Sequence, residues 1–382
     1  MPDPVLLVRN ARMYVPEDRG MADLLLAGGR IVAIAPRIEP GRGLEVVELD
    51  AAGRLAVPGF VDSLVHVSGG GGEGGFGTRT PALQPADAIA AGVTTLVGAL
   101  GTDDVTRSHA DLLASCRALA AHGLSAYALT GSYRVPVRTL TGSVRDDLVL
   151  VPDFIGVGEI AIADHRGSQP NVDELARIAA DARVGGLLAG KRGTVLVHVG
   201  DSAEGLALLH DVTTRHAVPA SQWHPTHLNR NRALLDQSAA WLARGGSIDL
   251  TTSTSEDLLA AGEVPAAEAL VELLRAGHPV ARISLSSDGQ ASLPHFDAEG
   301  RLLGLEVASM ASLHASLVSA VQQSGMALEA VLPALTATPA AIWGLGRKGR
   351  LAVGMDADLL LLSPRTLAIE AVVAGGRLRT GG

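Results

Sequence analysis

The texture of hydrophobic positions changes twice along the chain. Up to about residue 56, short apolar or alternating runs are separated by glycine turns: Val5 to Val8, Asp23 to Ala27 ahead of Gly28-Gly29, Arg30 to Ala35, and Glu45 to Leu49. Such runs bounded by turn residues predict short strands. The end of the chain returns to that texture, with Asp358 to Leu362, Ile369 to Val373 and Gly375-Gly376. The two ends together predict one small β domain, residues 1–56 with 346–382.

Residues 57–345 read differently, as apolar strands alternating with helix-length intervals. The strands are Gly59 to Val67, Thr94 to Gly98, Ser125 to Gly131, Phe154 to Ile162, Thr194 to His198, Gln222 to His227, Ser247 to Thr251 and Ile283 to Ser287. Eight of them in this rhythm predict an α/β fold, a (β/α)8 TIM barrel. Val172 to Leu188, Ala266 to Ala276 and Val307 to Val321 carry the Ala/Leu spacing of its outer helices. A doubly wound open sheet is the rival, but no G-x-G-x-x-G follows the first strand.

Composition narrows the function. The chain has 382 residues, 47% hydrophobic and 19% charged, which excludes wholesale disorder and suits one barrel-sized domain. A net charge of −9 argues against a nucleic-acid partner. The N-terminal sequence carries no basic region followed by a long apolar stretch, and runs such as Leu24 to Ala27 or Leu359 to Leu362 fall far short of the roughly 20 residues of a membrane span. A cytoplasmic protein without a membrane partner is expected. Cys116 is the sole cysteine, so neither an intrachain disulfide nor a cysteine-built zinc site is available.

In a barrel the chemistry sits where strands end. Five metal-ligand types fall there: His66, Glu159, His198, His227 and Asp288. Singly, each also reads as an ordinary strand-end residue, and Asp288-Gly289 as a common turn pair. Jointly they point to Zn²⁺ or a similar divalent ion, held by imidazole and carboxylate with a position left for water. Hydrolysis of an amide or related bond follows, with Asp288 carrying the proton from water to the leaving amine.

Pro58-Gly59-Phe60-Val61-Asp62, the run Gly69 to Glu73, Thr130-Gly131-Ser132-Tyr133, Asp164-His165-Arg166, Pro225 to Arg230 and Ser286-Ser287-Asp288-Gly289 resemble the amidohydrolase superfamily, and within it the isoaspartyl dipeptidases. The resemblance runs over nearly the whole chain. It implies a metal-dependent enzyme acting on a small dipeptide whose peptide bond runs through an aspartate side chain. It further implies that Glu73 holds the substrate's α-amino group, that Arg166 and Arg230 bind its carboxylates, that Tyr133 polarises the scissile carbonyl, and that Thr102 and Ser292 contact substrate. Bidentate arginine–carboxylate pairing and a hydroxyl donor at the carbonyl suit those roles. Read without the resemblance, the glycine run is equally a flexible connection, the arginines salt-bridging surface groups, and Tyr133 a packing residue. A homo-oligomer, an octamer among the assemblies suggested, is also implied.

The chain departs from the pattern in two places. The family has His-x-His after the first strand, whereas this chain has Leu64-Val65-His66, and residues two apart on a strand share a face. Leu64 therefore removes one ligand of a two-metal site. Many members also bridge two metals with a carboxylated lysine, yet only Lys191 and Lys348 are lysines here, one in a turn before the fifth strand and one near the C-terminal β segment. Glu159 is the available substitute. Counting ligands gives one tightly bound Zn²⁺ on Glu159, His198 and His227, and a weaker second position at His66, Glu159 and Asp288. Two alternatives stand beside this reading: a related amidohydrolase acting on another N-acyl or cyclic amide, and a barrel made non-catalytic by Leu64.

Overall fold

The computed structural model describes residues 5–41, 43, 45–297 and 302–380. The N-terminal residues 1–4, part of the segment read for a secretory signal, lie outside them, as do residues 381–382 of the small β domain's C-terminal stretch. Eight parallel barrel strands follow in order: Phe60–Val65, Val93–Gly98, Ser125–Thr130, Phe154–Ile162, Thr194–Val199, Trp223–Thr226, Ile248–Thr251 and Ile283–Ser286. The first six pair with their neighbours in one sheet, and the last two pair with each other. Two contacts close the ring. Leu228 N–H donates to the Asp249 carbonyl at 3.2 Å, and His66 N–H to the Gly289 carbonyl at 2.8 Å. The fold is the expected TIM barrel. Its strands are buried almost throughout, one face by helices and one by the bore, and the last three carry buried polar residues such as His224, Asp249 and Ser284 among the apolar ones.

The bore is filled below its mouth by Leu64, Val97, Leu129, Ile155, Leu196 and Trp343. Leu64 is fully buried in this layer. Two residues further along their strands, His66 and His198 stand on the same faces as Leu64 and Leu196, so the apolar plug forms the floor of a polar site.

Both chain ends build a second, eight-stranded sheet. Leu55–Pro58 is paired on one side with Val5–Tyr14 and on the other with Leu359–Leu362. The first strand runs six residues beyond the expected Val8, and Arg377–Thr380 adds a strand that its short polar sequence did not signal. Its buried side is closed by Leu6, Val8, Met13, Leu24, Ile31 and Leu361.

One helix expectation is corrected. The helix expected from Val307 starts later: Val307 ends the strand Leu302–Val307, which forms a hairpin with Ser292–Phe296, and the helix runs over Ala311–Val318 and continues as a π-helical turn through Ser319–Gln323. That strand stays half-buried or exposed, and Ser309, whose hydroxyl accepts from Ala311 N–H, stands at the later helix start. Among the described residues no helix is long and apolar enough to cross a membrane.

Candidate metal centre and substrate pocket

Glu159 rises from the fourth barrel strand and is completely buried. Its two oxygens face opposite ways. Oε2 lies 3.5 Å from both His198 Nδ1 and His227 Nε2, whereas Oε1 lies 3.5 Å from His66 Nε2. His66 Nε2 is also 3.2 Å from Asp288 Oδ1. Neither Glu159 oxygen has a hydrogen-bond partner, and Asp288 Oδ1 has none. Buried carboxylates left in this state are costly unless a cation completes them.

The spacing fits a metal. Ligands about 2.1 Å from a tetrahedral zinc stand about 3.4 Å apart, close to the separations around Glu159 Oε2. Glu159, His198 and His227 each bring a ligand atom within 4.8 Å of the others. They are also the three predicted for the tight position. His66 and Asp288 gather on the other side of the same carboxylate, where they were expected to form the weaker one.

Each imidazole is oriented by a partner. His198 Nε2 donates to Asp164 Oδ2 at 2.8 Å, leaving Nδ1 with its lone pair toward Glu159. His227 Nδ1 lies 2.6 Å from Thr251 Oγ1, leaving Nε2 toward the same place. Such partners fix both tautomer and ring angle of metal-binding histidines. Burial, with Arg230 and His198 nearby, pushes His227 down to about 4, so it is neutral and able to ligate. Burial also pushes Glu159 up, but His198, His227 and His66 outweigh it and hold the carboxyl well below the usual range.

Asp164 does more than orient His198. It also receives Arg166 through Nη2 at 2.7 Å, Nε at 3.0 Å and the backbone N–H at 2.8 Å. Arg166 in turn lies 5.6 Å over the Tyr133 ring and 3.7 Å from Glu73. Thr102 donates to Glu73 Oε1 at 2.8 Å. Tyr133 Oη stands 2.7 Å from His198 Nδ1. Burial and the Glu159 charge raise the phenol well above its ordinary value, so it stays a donor.

The glycine run is a built loop. At Gly71, with φ +66°, a Cβ would lie 2.6 Å from the Thr78 carbonyl and 3.1 Å from Ser292 Cβ. Arg107, almost fully buried, donates to the carbonyls of Ser68, Gly70, Gly71 and Thr80 and so pins the loop that ends in Glu73.

These groups surround one cavity of about 200 Å³. Ten of the predicted residues line it: His66, Glu73, Thr102, Tyr133, Arg166, His198, His227, Arg230, Asp288 and Ser292; Glu159 lies beneath. Arg230 has no ion-pair partner among the described residues, and Ser292 opens the hairpin beside the mouth. Neither lysine comes near. Lys191 Nζ is spent on the carbonyls of Leu148, Val151 and Phe154, and Lys348 on Asp356, Asp358 and Ser125. Sequence reasoning gave no role to Asp164, though it noted its triplet, and no signal marked Arg107.

Residues 55–379 match the sequence profile of the Amidohydrolase family. The chain belongs to the amidohydrolase family. This amidohydrolase is similar over its full length to the β-aspartyl dipeptidase of Fervidobacterium islandicum AW-1 in complex with β-Asp-Leu dipeptide, with 39% identity, TM-score 0.93, and 100% of this chain and 97% of that one covered. A second structure of β-aspartyl dipeptidase from that organism gives 37% identity and TM-score 0.90, with 99% of this chain and 97% of that one covered. A D-hydantoinase at 19% identity and TM-score 0.68, covering 100% of this chain and 95% of that one, shares the fold. Dihydroorotase of Staphylococcus aureus (strain MRSA252) is 40% identical over 67 residues, which is 18% of this chain and only 15% of that relative.

Proposed function

We propose that this enzyme hydrolyses β-aspartyl dipeptides in a site that holds one Zn²⁺ tightly on Glu159, His198 and His227, with His66 and Asp288 offering a weaker second position. The observation that carries the reading is the charge pattern of the cavity. A β-aspartyl dipeptide brings one ammonium and two carboxylates, and Glu73, Arg166 and Arg230 line the same cavity as the ligand cluster. Similarity to a dipeptidase whose structure holds β-Asp-Leu supports the same substrate class.

In this reading Glu73 takes the ammonium and the two arginines the carboxylates, with Thr102 and Ser292 completing the contacts. Binding must part Arg166 from Glu73, now 3.7 Å away, so in the free site these opposite charges compensate each other. A bound divalent ion polarises the carbonyl and lowers the pKa of water to about 7. The Tyr133 hydroxyl donates to the carbonyl oxygen as negative charge gathers there. Asp288 takes one proton from the attacking water, whose oxygen joins the carbonyl carbon. As the C–N bond breaks, Asp288 returns that proton to the leaving amine.

Parallel assays of β-Asp-Leu, N-acetyl-leucine and a six-membered cyclic amide test the substrate class. The reading expects leucine release from β-Asp-Leu at a kcat/KM at least about 100-fold above the other two, since a site built to pair charges discriminates strongly against analogues that lack them. Preference for either competitor would overturn it.

A further inference from the structure

A fully buried carboxylate that the mechanism does not use lies in the first barrel strand. Asp62 Oδ1 accepts the Ser287 backbone N–H at 3.0 Å, and its Oδ2 accepts the Ser287 hydroxyl. The Ser287 oxygen then accepts Gly289 N–H at 2.9 Å. Gly289 continues the chain of bonds, because its carbonyl accepts His66 N–H at 2.8 Å. Asp288 sits between the two residues so held, in a left-handed conformation at φ +51°. Asp enters that region more readily than most side chains, so the conformation itself is permitted and the hydrogen bonds on either side fix it. Space on the far side is closed as well: a Cβ at Gly289 would lie 2.7 Å from Met310 Cγ and 2.9 Å from the Ser287 hydroxyl oxygen.

We propose that Asp62 is a positioning residue for the reaction, acting through Ser287 to lock the backbone on both sides of Asp288 and so aim its carboxylate into the cavity. Asp62 does not line that cavity and touches neither substrate nor any metal ligand's side chain. A second buried aspartate provides the contrast. Asp249 receives the hydroxyls of Thr226, Ser284 and Ser286, and none of these bonds to Ser287 or Gly289. Asp62 alone of the pair is wired to the Asp288 turn.

The inference rests on Asp288 serving as the proton carrier, and its test has one arm that does not need that. Asp62→Asn keeps an acceptor for the Ser287 N–H but offers an amide N–H₂ where the hydroxyl needs an acceptor. Ser287→Ala removes the hydroxyl itself with little effect on packing. Each is expected to lower kcat on β-Asp-Leu by at least about 10-fold, with KM changed less than twofold and zinc content intact. The double variant should be no slower than the slower single, because both break one link. Independently of substrate, amide exchange in peptides spanning residues 283–292 should quicken in each variant. Unaltered kcat in Ser287→Ala, additive losses in the double variant, or unaltered exchange would overturn the proposal. If the parent protein hydrolyses no β-aspartyl dipeptide, the functional reading fails, and the exchange arm still decides whether Asp62 holds the turn.

Discussion

His198 donates to Asp164 at 2.8 Å, and the same carboxylate is forked by Arg166. The imidazole proposed to hold the metal and the arginine proposed to hold substrate therefore share one anchor. Burial alone would push the Asp164 carboxyl up, but His198 and Arg166 hold it well below its ordinary range, so the anchor is charged throughout the working pH range.

Asp164→Asn is expected to damage two properties at once. Loss of the partner that orients a ligating imidazole weakens metal binding about 10–100-fold, and the loosened Arg166 raises KM for β-Asp-Leu. A zinc-chelator competition titration with steady-state kinetics on the zinc-saturated variant checks both. A variant with parental zinc affinity and KM would show that the shared anchor has no functional weight.

Leu64→His tests whether the missing imidazole limits the proposed second position. The new imidazole stands on the His66 face of the strand, within the apolar layer of Leu129, Leu196 and Trp343. Zinc content after dialysis should rise from one to two ions per chain. Without metal the variant should be less stable by about 1–3 kcal/mol, the cost of a buried polar group without a partner. An unchanged content of one would mean that the missing histidine is not what limits the site.

The metal-free protein should respond to pH through His66. Burial pushes this imidazole down, but Asp288 and Glu159 outweigh it and raise its pKa to about 9. A folded-state value above the unfolded value of about 6.5 gives stability that is complete below about 6.5 and is lost as pH rises to 9. The melting temperature of metal-stripped protein should fall across that window, and His66→Gln should flatten the fall. An ion at the weaker position would compete with the same proton, so affinity there should rise over the same interval. A flat melting profile in the parent protein would remove His66 from the account.

The barrel was legible because eight strands buried on both faces recur at helix-length intervals, and the candidate ligands because they are ionisable residues inside or at the end of those strands. Leu64 was legible as an absence, since a period of two places it on the His66 face. Less could be seen of residues that work through hydrogen bonds to distant partners. Asp164 meets His198 34 residues away and Asp62 meets Ser287 225 residues away, and nothing in the local pattern at either aspartate announces it. Arg107 is silent for the same reason, its partners being main-chain carbonyls of a loop far along the chain. The hairpin Ser292–Phe296 with Leu302–Val307 went unread, because its pairing is set between two short segments rather than by the pattern of either one.

The central claim is that Glu159, His198 and His227 hold one ion on which β-aspartyl hydrolysis depends. Leucine release from β-Asp-Leu, followed while bound zinc per chain is taken down by chelation and then restored, tests it most directly. The account predicts activity proportional to bound zinc, reaching its full value at one ion per chain and returning on restoration. Activity that survives complete removal of metal, or that stays absent with one ion bound, would contradict it.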